Sequence, residues 1–370
     1  MSEKRLIIHA GFHKSGTTAL QESFALNRQL LHEEGIFYPP IGTKAHHRVA
    51  WALTQKPWGW SKRGGEKTPP KTWEKMVDRI KSAKEETVIL SSEFFSELDG
   101  EKIRKVRSDI KGRDIQVIFT LRPLAKLLPS SYQQYLKYGI TVEYEDWLHA
   151  ILDNPGESKV SPTFWKRHSH GKVVARWVDI FGKSSVTLLI VNEAQPTFLF
   201  DEINKFLNLP AGRINAAPSG SNRSLTMEEI SLLLELNRQF PKERVWDEYE
   251  IFIRAGYIKE LTDFVPPASD KARLLTPQWA VDKANELGRG IKEELLNSGA
   301  KIIGDVDSLG NSTVAIGNSI YPETIDIKTV AAAMLAFDQE TIKKFPFKWL
   351  TKDLKSRAKK QIRARSSRLK

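Results

Sequence analysis

The chain has 370 residues, 40% of them hydrophobic and 28% charged, which allows a large buried core and argues against a disordered chain. It holds no cysteine, which excludes disulfide scaffolds, thiolate metal sites and cysteine nucleophiles and suits a reducing cytosol. Its net charge of +12 favours anionic partners (phosphates, sulfates, nucleic acids or anionic lipid surfaces) without choosing among them.

Arg5 to Ala10 reads as a short buried strand. Its apolar run Leu6-Ile7-Ile8 is too short for a signal-peptide core, and no stretch approaches the roughly 20 apolar residues of a membrane span, so a cytoplasmic protein is expected. Gly11 to Gly16 is a loop, and from Thr17 the apolar spacing turns helical through Ala19, Leu20, Phe24 and Leu30-Leu31. Gly35 to Pro40 is a break with a short strand, and Gly42 to Pro70 is a long loop or a set of short helices. Lys71 to Lys84 reads as an amphipathic helix. Thr87 to Leu90 is a strand ending in Ser91-Ser92-Glu93.

Ile115 to Leu121 is a strong buried strand closed by Arg122-Pro123, and a helix follows to about Tyr138. Ser185 to Val191 is another strand, with a helix over Phe198 to Leu207. After Pro218 the pattern is helical: Thr226 to Phe240, with Ser224 or Thr226 as the candidate cap and Glu228-Glu229 in the first turn, then Ala280 to Ser298 and Ile325 to Phe337. Strands alternating with helices predict an α/β protein with a parallel sheet flanked by helices. Residues 1–310 are expected to form the main domain and 311–370 a helical, basic C-terminal extension. The tail from Lys352 to Lys370 is expected to be a solvated face, with peripheral contact to an anionic membrane surface as the minor reading. No nucleic-acid motif accompanies the charge, so specific nucleic-acid binding is not expected.

The most informative stretch is His9-Ala-Gly-Phe-His-Lys-Ser-Gly-Thr-Thr-Ala-Leu-Gln21, between a strand and a helix. A glycine-containing loop there wraps anions with backbone N–H groups, and the helix N-terminus adds partial positive charge. Lys14 adds a full charge, and Thr17 and Thr18 add hydroxyls. The nucleotide-triphosphate P-loop, G-x-x-x-x-G-K-[ST], has the same glycine separation. Here Thr17 stands where that motif needs lysine, and Lys14 precedes the second glycine.

Lys14-Ser-Gly-Thr-Thr18 resembles the 5′-phosphosulfate loop of sulfotransferases that use 3′-phosphoadenosine 5′-phosphosulfate (PAPS), whose fold is similar to that of P-loop kinases. The preceding His9-Ala-Gly-Phe-His resembles bacterial members of that family. Arg122 at a strand end, with Ser130 eight positions on in the next helix, is similar to the pair that binds the 3′-phosphate of PAPS. Arginine suits a phosphate by its planar, always-charged fork. Tyr132 and Gln133 resemble the carbohydrate-modifying branch. Ser221-Asn-Arg-Ser-Leu225 resembles the loop that closes over the cofactor, from which Arg223 could reach the 3′-phosphate. The resemblance thus runs in motif order from Lys14 to Leu225 and does not extend into the tail.

The resemblance implies PAPS as donor, with no metal required, and a site of His13, Lys14, Ser15, Gly16, Thr17, Thr18, Arg122, Ser130 and Arg223. Lys14 would stabilise charge on the leaving phosphate. Glu93, where the family places a catalytic histidine or glutamate, is the candidate general base. His46 and His47 are rival bases, and His9 is read as structural. Trp51, Trp58 and Trp60 share the irregular segment with His46 and His47 and could stack on an acceptor. The expected activity is sulfuryl transfer to a hydroxyl or amine of a glycan, glycolipid or small molecule. A P-loop-like kinase using ATP and magnesium, and a non-catalytic binding protein, are the alternatives.

Overall fold

The computed structural model describes residues 4–57 apart from 43, 67–217, 223–259 with 262, 272–327, and scattered positions from there to 358. Trp58, Trp60, Ser221, Asn222 and residues 359–370 of the basic tail lie outside the described residues.

Six parallel strands form one sheet: β1 Arg5–His9, β2 Ile36–Phe37, β3 Thr87–Ser91, β4 Asp114–Leu121, β5 Val186–Ile190 and β6 Lys301–Ile303. Their order is β2-β3-β1-β4-β5-β6. The α/β class read from the sequence is therefore correct, and strand β6 adds an edge that the sequence reading lacked. Leu6, Ile7 and Ile8 are all buried because a central parallel strand is covered on both faces. Alternation then splits them. Leu6 and Ile8 join Val88, Leu90, Val117 and Phe119 in one core, whereas Ile7 joins Ile89, Ile118 and Leu189 in the other. Each such side chain contributes about 1.5–3 kcal/mol by leaving water.

The first core is covered by helices that include His47–Thr54, Lys71–Ser82, Gly100–Asp109 and His170–Phe181. The second is covered by Thr17–Leu26 and Phe198–Phe206. A third core, built on Leu124–Leu136, Tyr144–Leu152, Met227–Gln239 and Gln278–Asn297, forms a helical layer beside the sheet. The helix that starts at Thr17 is shorter than its apolar spacing predicts. It ends at Leu26, and Asn27 bonds back to the Ser23 carbonyl through its side chain at 2.8 Å before a second helix begins. Of the two candidate caps, Thr226 is the one used, in a capping box with Glu229. Residues 311–326 are largely irregular; there Ser312 bonds to Asn285, and the Tyr321 hydroxyl accepts from the Tyr144 N–H at 2.8 Å.

The order of the strands fixes where chemistry can occur. β1 lies between β3 and β4, with His9 opposite both Ser91 and Ile118. The loop after β1 is therefore flanked by Glu93 just beyond β3 and Arg122 just beyond β4. From β1 the chain crosses to one side of the sheet, and from β3 it crosses to the other. That reversal opens a crevice at the carboxyl ends of the strands.

Candidate active site

The loop after β1 is held from beneath. Phe12 N–H bonds to the Thr120 carbonyl at 3.0 Å, and Ser15 Oγ bonds to the Phe12 carbonyl at 2.6 Å and to Thr120 Oγ1 at 2.8 Å. A Cβ on Gly11 would stand 2.3 Å from Thr120 Oγ1 and 2.7 Å from His9 Nε2, so no larger residue fits against β4. Lys14 adopts φ 65° and Gly16 φ 86°, both left-handed. Gly16 caps the helix Thr17–Leu26 without a side chain, so the first-turn N–H groups have no side-chain cap. Such a terminus favours an anion through its amides and its dipole.

This loop opens onto a cleft of about 470 Å³. His13, Lys14, Gly16, Thr17 and Thr18 form one wall, Glu93 with His47 and Trp51 a second, and Ser130 with Arg223 a third. Ten of the thirteen site residues read from the sequence thus come together. Three do not line the cleft. The Ser15 side chain is buried beneath the loop, where it bonds to Phe12 and Thr120. His46 is fully buried, with Nε2 against the Pro39 carbonyl at 2.8 Å and Nδ1 accepting the Ser91 N–H at 3.0 Å. Both its nitrogens hold the strand end in place, so it does not meet an acceptor. Arg122 leaves β4 in an ion pair with Glu193, which Lys126 also contacts at 3.1 Å.

Sequence reasoning missed Gln134, Lys137 and Arg254, all of which line the cleft. The first two had a readable signal. Ser130, Gln133, Gln134 and Lys137 fall three, four and seven apart, which is one face of a helix. Gln134 Oε1 accepts from Lys14 Nζ at 3.1 Å, and Gln133 Oε1 accepts the Leu225 N–H at 2.8 Å. The second bond ties the segment carrying Arg223 to the helix carrying Ser130. Arg254 belongs to the π-helical turn Glu250–Ile258, which no periodicity announces.

The electrostatics of the cleft are cationic. Lys14, Lys137, Arg223 and Arg254 line it, against the one lining carboxylate, Glu93. Arg223 is held in a two-pronged pair with Glu229 at 2.8 and 2.7 Å, and Arg254 pairs with Glu250. Burial, then Lys14, Arg254 and Arg223, push the Lys137 ammonium down to about 7. Burial also lowers Lys14, despite the opposing pull of Glu93. Cations that depress one another in this way call for a multiply charged anion, which would restore their protons.

Glu93 accepts from Gln21 Nε2 at 3.0 Å and stands 3.7 Å from His47 Nδ1. Burial would raise its carboxyl, but the His47 and His13 rings and then the Gln21 amide outweigh it and hold the group below its ordinary value. It is therefore ionised and able to take a proton. His47 Nδ1 also shares a hydrogen bond with Ser92 Oγ at 2.9 Å. One helical turn beyond Glu93, Glu97 is the centre of a buried ion cluster, with Arg167 at 2.9 Å, Lys166 at 2.7 Å and His13 at 3.3 Å. His9 is buried and neutral, pushed down to about 4 by burial, and bonds to Ser91 Oγ at 2.7 Å; its role is structural. Among the described residues, no three His, Asp or Glu side chains gather as a metal site. No described helix is long and apolar enough to cross a membrane.

No family model matches the sequence, and no curated protein matches it. Among solved structures, one described as a sulfotransferase from Alicyclobacillus acidocaldarius is similar over 64% of this chain and 93% of its own, at 15% identity and a TM-score of 0.40. A likeness that distant bears on neither the site nor the activity, so the functional reading rests on the residues of the cleft.

Proposed function

We propose that the chain is a sulfotransferase that moves a sulfuryl group from PAPS to an acceptor hydroxyl or amine, with a glycan, glycolipid or small molecule as acceptor. The observation that carries this reading is the cleft itself. A lysine-bearing, glycine-capped loop, the Ser130–Arg223 pair and one carboxylate, Glu93, line the same cleft. A donor with anionic groups at both ends fits such a cleft. The loop amides, Thr17, Thr18 and Lys14 would hold the 5′ end, and Ser130 and Arg223 the 3′-phosphate. Arg122 would join the second group by exchanging Glu193 for phosphate.

When bound, PAPS supplies an activated sulfuryl group on a phosphate leaving group. The chain's own residues then have three tasks. Lys14 and the loop amides stabilise negative charge that grows on the leaving oxygen. Lys137, one helical turn from Gln134, adds a second cation on the same side. Glu93 takes the acceptor's proton, while Gln21 and His47 fix the orientation of its carboxylate.

The test is transfer of label from ³⁵S-PAPS to a panel of hydroxylated acceptors. Glu93→Gln should lower turnover about 100-fold or more, with the KM for PAPS changed only a few-fold. If label reached no acceptor while phosphate moved from ATP, the kinase reading would take its place. Unchanged turnover in Glu93→Gln would move the base to another residue.

A further inference from the structure

A second cavity, of about 710 Å³, adjoins the cleft and shares Trp51, Phe94 and Tyr138 with it. Phe94 lines both. Glu93, immediately before it, faces the cleft, and Glu97, three residues after it, faces the cavity. The shared rings make the cavity the natural place for the body of the acceptor.

The walls are aromatic and aliphatic: Trp51, Phe94, Tyr135, Trp246, Val142 and Val160 are among them. Many of the polar groups in the same walls are already committed. The Tyr135 hydroxyl and Thr163 Oγ1 bond to each other at 3.0 Å, and Ser161 Oγ accepts from Trp147 at 2.8 Å. The carbonyls of Ile140, Thr141 and Val142 accept from Asn237, Arg238 and Tyr132. Glu97 is taken by Arg167, Lys166 and His13.

A bare sugar carries a hydroxyl on nearly every carbon. Inside such walls it would lose water and regain few hydrogen bonds, at a cost of about 1–3 kcal/mol for each group left unmet. An apolar body has the opposite balance, gaining about 25 cal/mol per Å² buried. Lys56 and Lys166, which also line the cavity, disfavour a cationic body.

Resting on the sulfotransferase reading, we infer that the acceptor is amphipathic: an uncharged or anionic hydroxyl compound whose apolar body fills this cavity and whose hydroxyl end reaches Glu93. Of the acceptors proposed above, this favours the glycolipid or amphipathic small molecule over a free glycan. Where the acceptor is a glycolipid, the lipid-side apolar portion enters the cavity and the sugar points to the cleft.

The test is direct binding, followed by tryptophan fluorescence because Trp51 and Trp246 line the cavity. The probes are octyl glucoside below its micelle concentration, 2-naphthol and glucose, each without donor and with 3′-phosphoadenosine 5′-phosphate. At least one of the first two should bind at least tenfold tighter than glucose, and which one does so tells an alkyl chain from a ring. Trp51→Ala and Val160→Asp should each weaken that binding about tenfold. Val160 does not line the cleft, so Val160→Asp should keep its affinity for the bisphosphate, which shows that the variant is folded. Glucose binding as tightly as octyl glucoside, or no binding by either apolar probe while the bisphosphate still binds, overturns the inference. Loss of bisphosphate binding in the wild type would instead overturn the sulfotransferase reading beneath it.

Discussion

Lys14→Gly should lower sulfuryl transfer by about 100-fold or more while leaving the fold slightly more stable than the wild type. The two effects come from different parts of the same residue. A non-glycine residue in the left-handed region costs about 1 kcal/mol, and Lys14 sits there at φ 65°. Glycine relieves that strain, less what its freer unfolded chain takes back. Removing the side chain also removes a cation that burial already disfavours, at the loss of its hydrogen bond to Gln134. The net gain should raise the midpoint of thermal unfolding by roughly 1–2 °C.

The loss falls entirely on the reaction. With the ammonium gone, charge on the leaving phosphate loses its nearest cation and is met by the loop amides, the Thr17 and Thr18 hydroxyls and Lys137, and loss of one such donor typically costs about 2.7–4 kcal/mol of barrier. Lys14→Arg, which keeps the charge but neither the reach nor the shape, should recover only part of the rate. A lysine with a purely structural role would give the reverse pattern, with lower stability and unchanged transfer.

Acid should unfold the chain well above the pH at which its carboxylates protonate. His9, His46, His168 and His170 are each no more than 1% exposed. Burial pushes His9 and His46 down to about 4 and His170 to about 3; His168 is held well below its ordinary value by burial and then by His170. The sign follows from where the protons bind. Below about pH 6.5 the unfolded chain takes a proton on each of these rings and the folded chain does not, so stability is full above that pH and falls as the pH drops towards 4.

Each ring costs about 1.4 kcal/mol per pH unit across that window, so four cost roughly 5 kcal/mol per unit. A domain stable by about 5–15 kcal/mol loses that margin within one to three units. Glu97 acts lower down. Burial would raise it, but Arg167 and His13 hold it well below the carboxylate range, so its contribution is lost only as the pH falls below about 4. Urea unfolding at pH 7, 6 and 5 measures the slope. His170, whose ring packs 4.1 Å from that of Phe12, can be replaced by phenylalanine to remove about one proton from it. Stability that stays level between pH 7 and pH 5 would mean that these rings titrate normally in the folded protein.

How much of this was readable depends on the distance over which each signal acts. The loop from Gly11 to Thr18 is local, and its residue types give its geometry. The strands β1, β3 and β4 were legible because buried parallel strands are continuous apolar runs. Once β1 lay between β3 and β4, Glu93 had to come beside Lys14. The strand β6 was not legible, since Lys301–Ile303 is three residues long at an edge and only partly buried. The helices Gly100–Asp109 and His170–Phe181 were not read from the sequence, although each buries one face in the first core.

The three site candidates whose side chains do not line the cleft share one cause. His46, Ser15 and Arg122 have side chains suited to chemistry, and sequence shows the type of a side chain but not where it points. His46 turns to Pro39 and Ser91, Ser15 to Thr120, and Arg122 to Glu193. Lys137 is the converse. In sequence it is one more lysine in a basic chain, and only the nearness of Lys14, Arg254 and Arg223 gives it significance.

The central claim is that the cleft holds a 3′,5′-bisphosphate nucleotide. Calorimetric titration with 3′-phosphoadenosine 5′-phosphate, beside ATP with magnesium, tests it most directly on the wild type, Ser130→Ala and Arg122→Ala. The account predicts that the bisphosphate binds at least tenfold tighter than ATP and that each substitution weakens it about tenfold, the equivalent of one charge-assisted hydrogen bond to phosphate. Tighter binding of ATP, or bisphosphate binding that neither substitution alters, would contradict it.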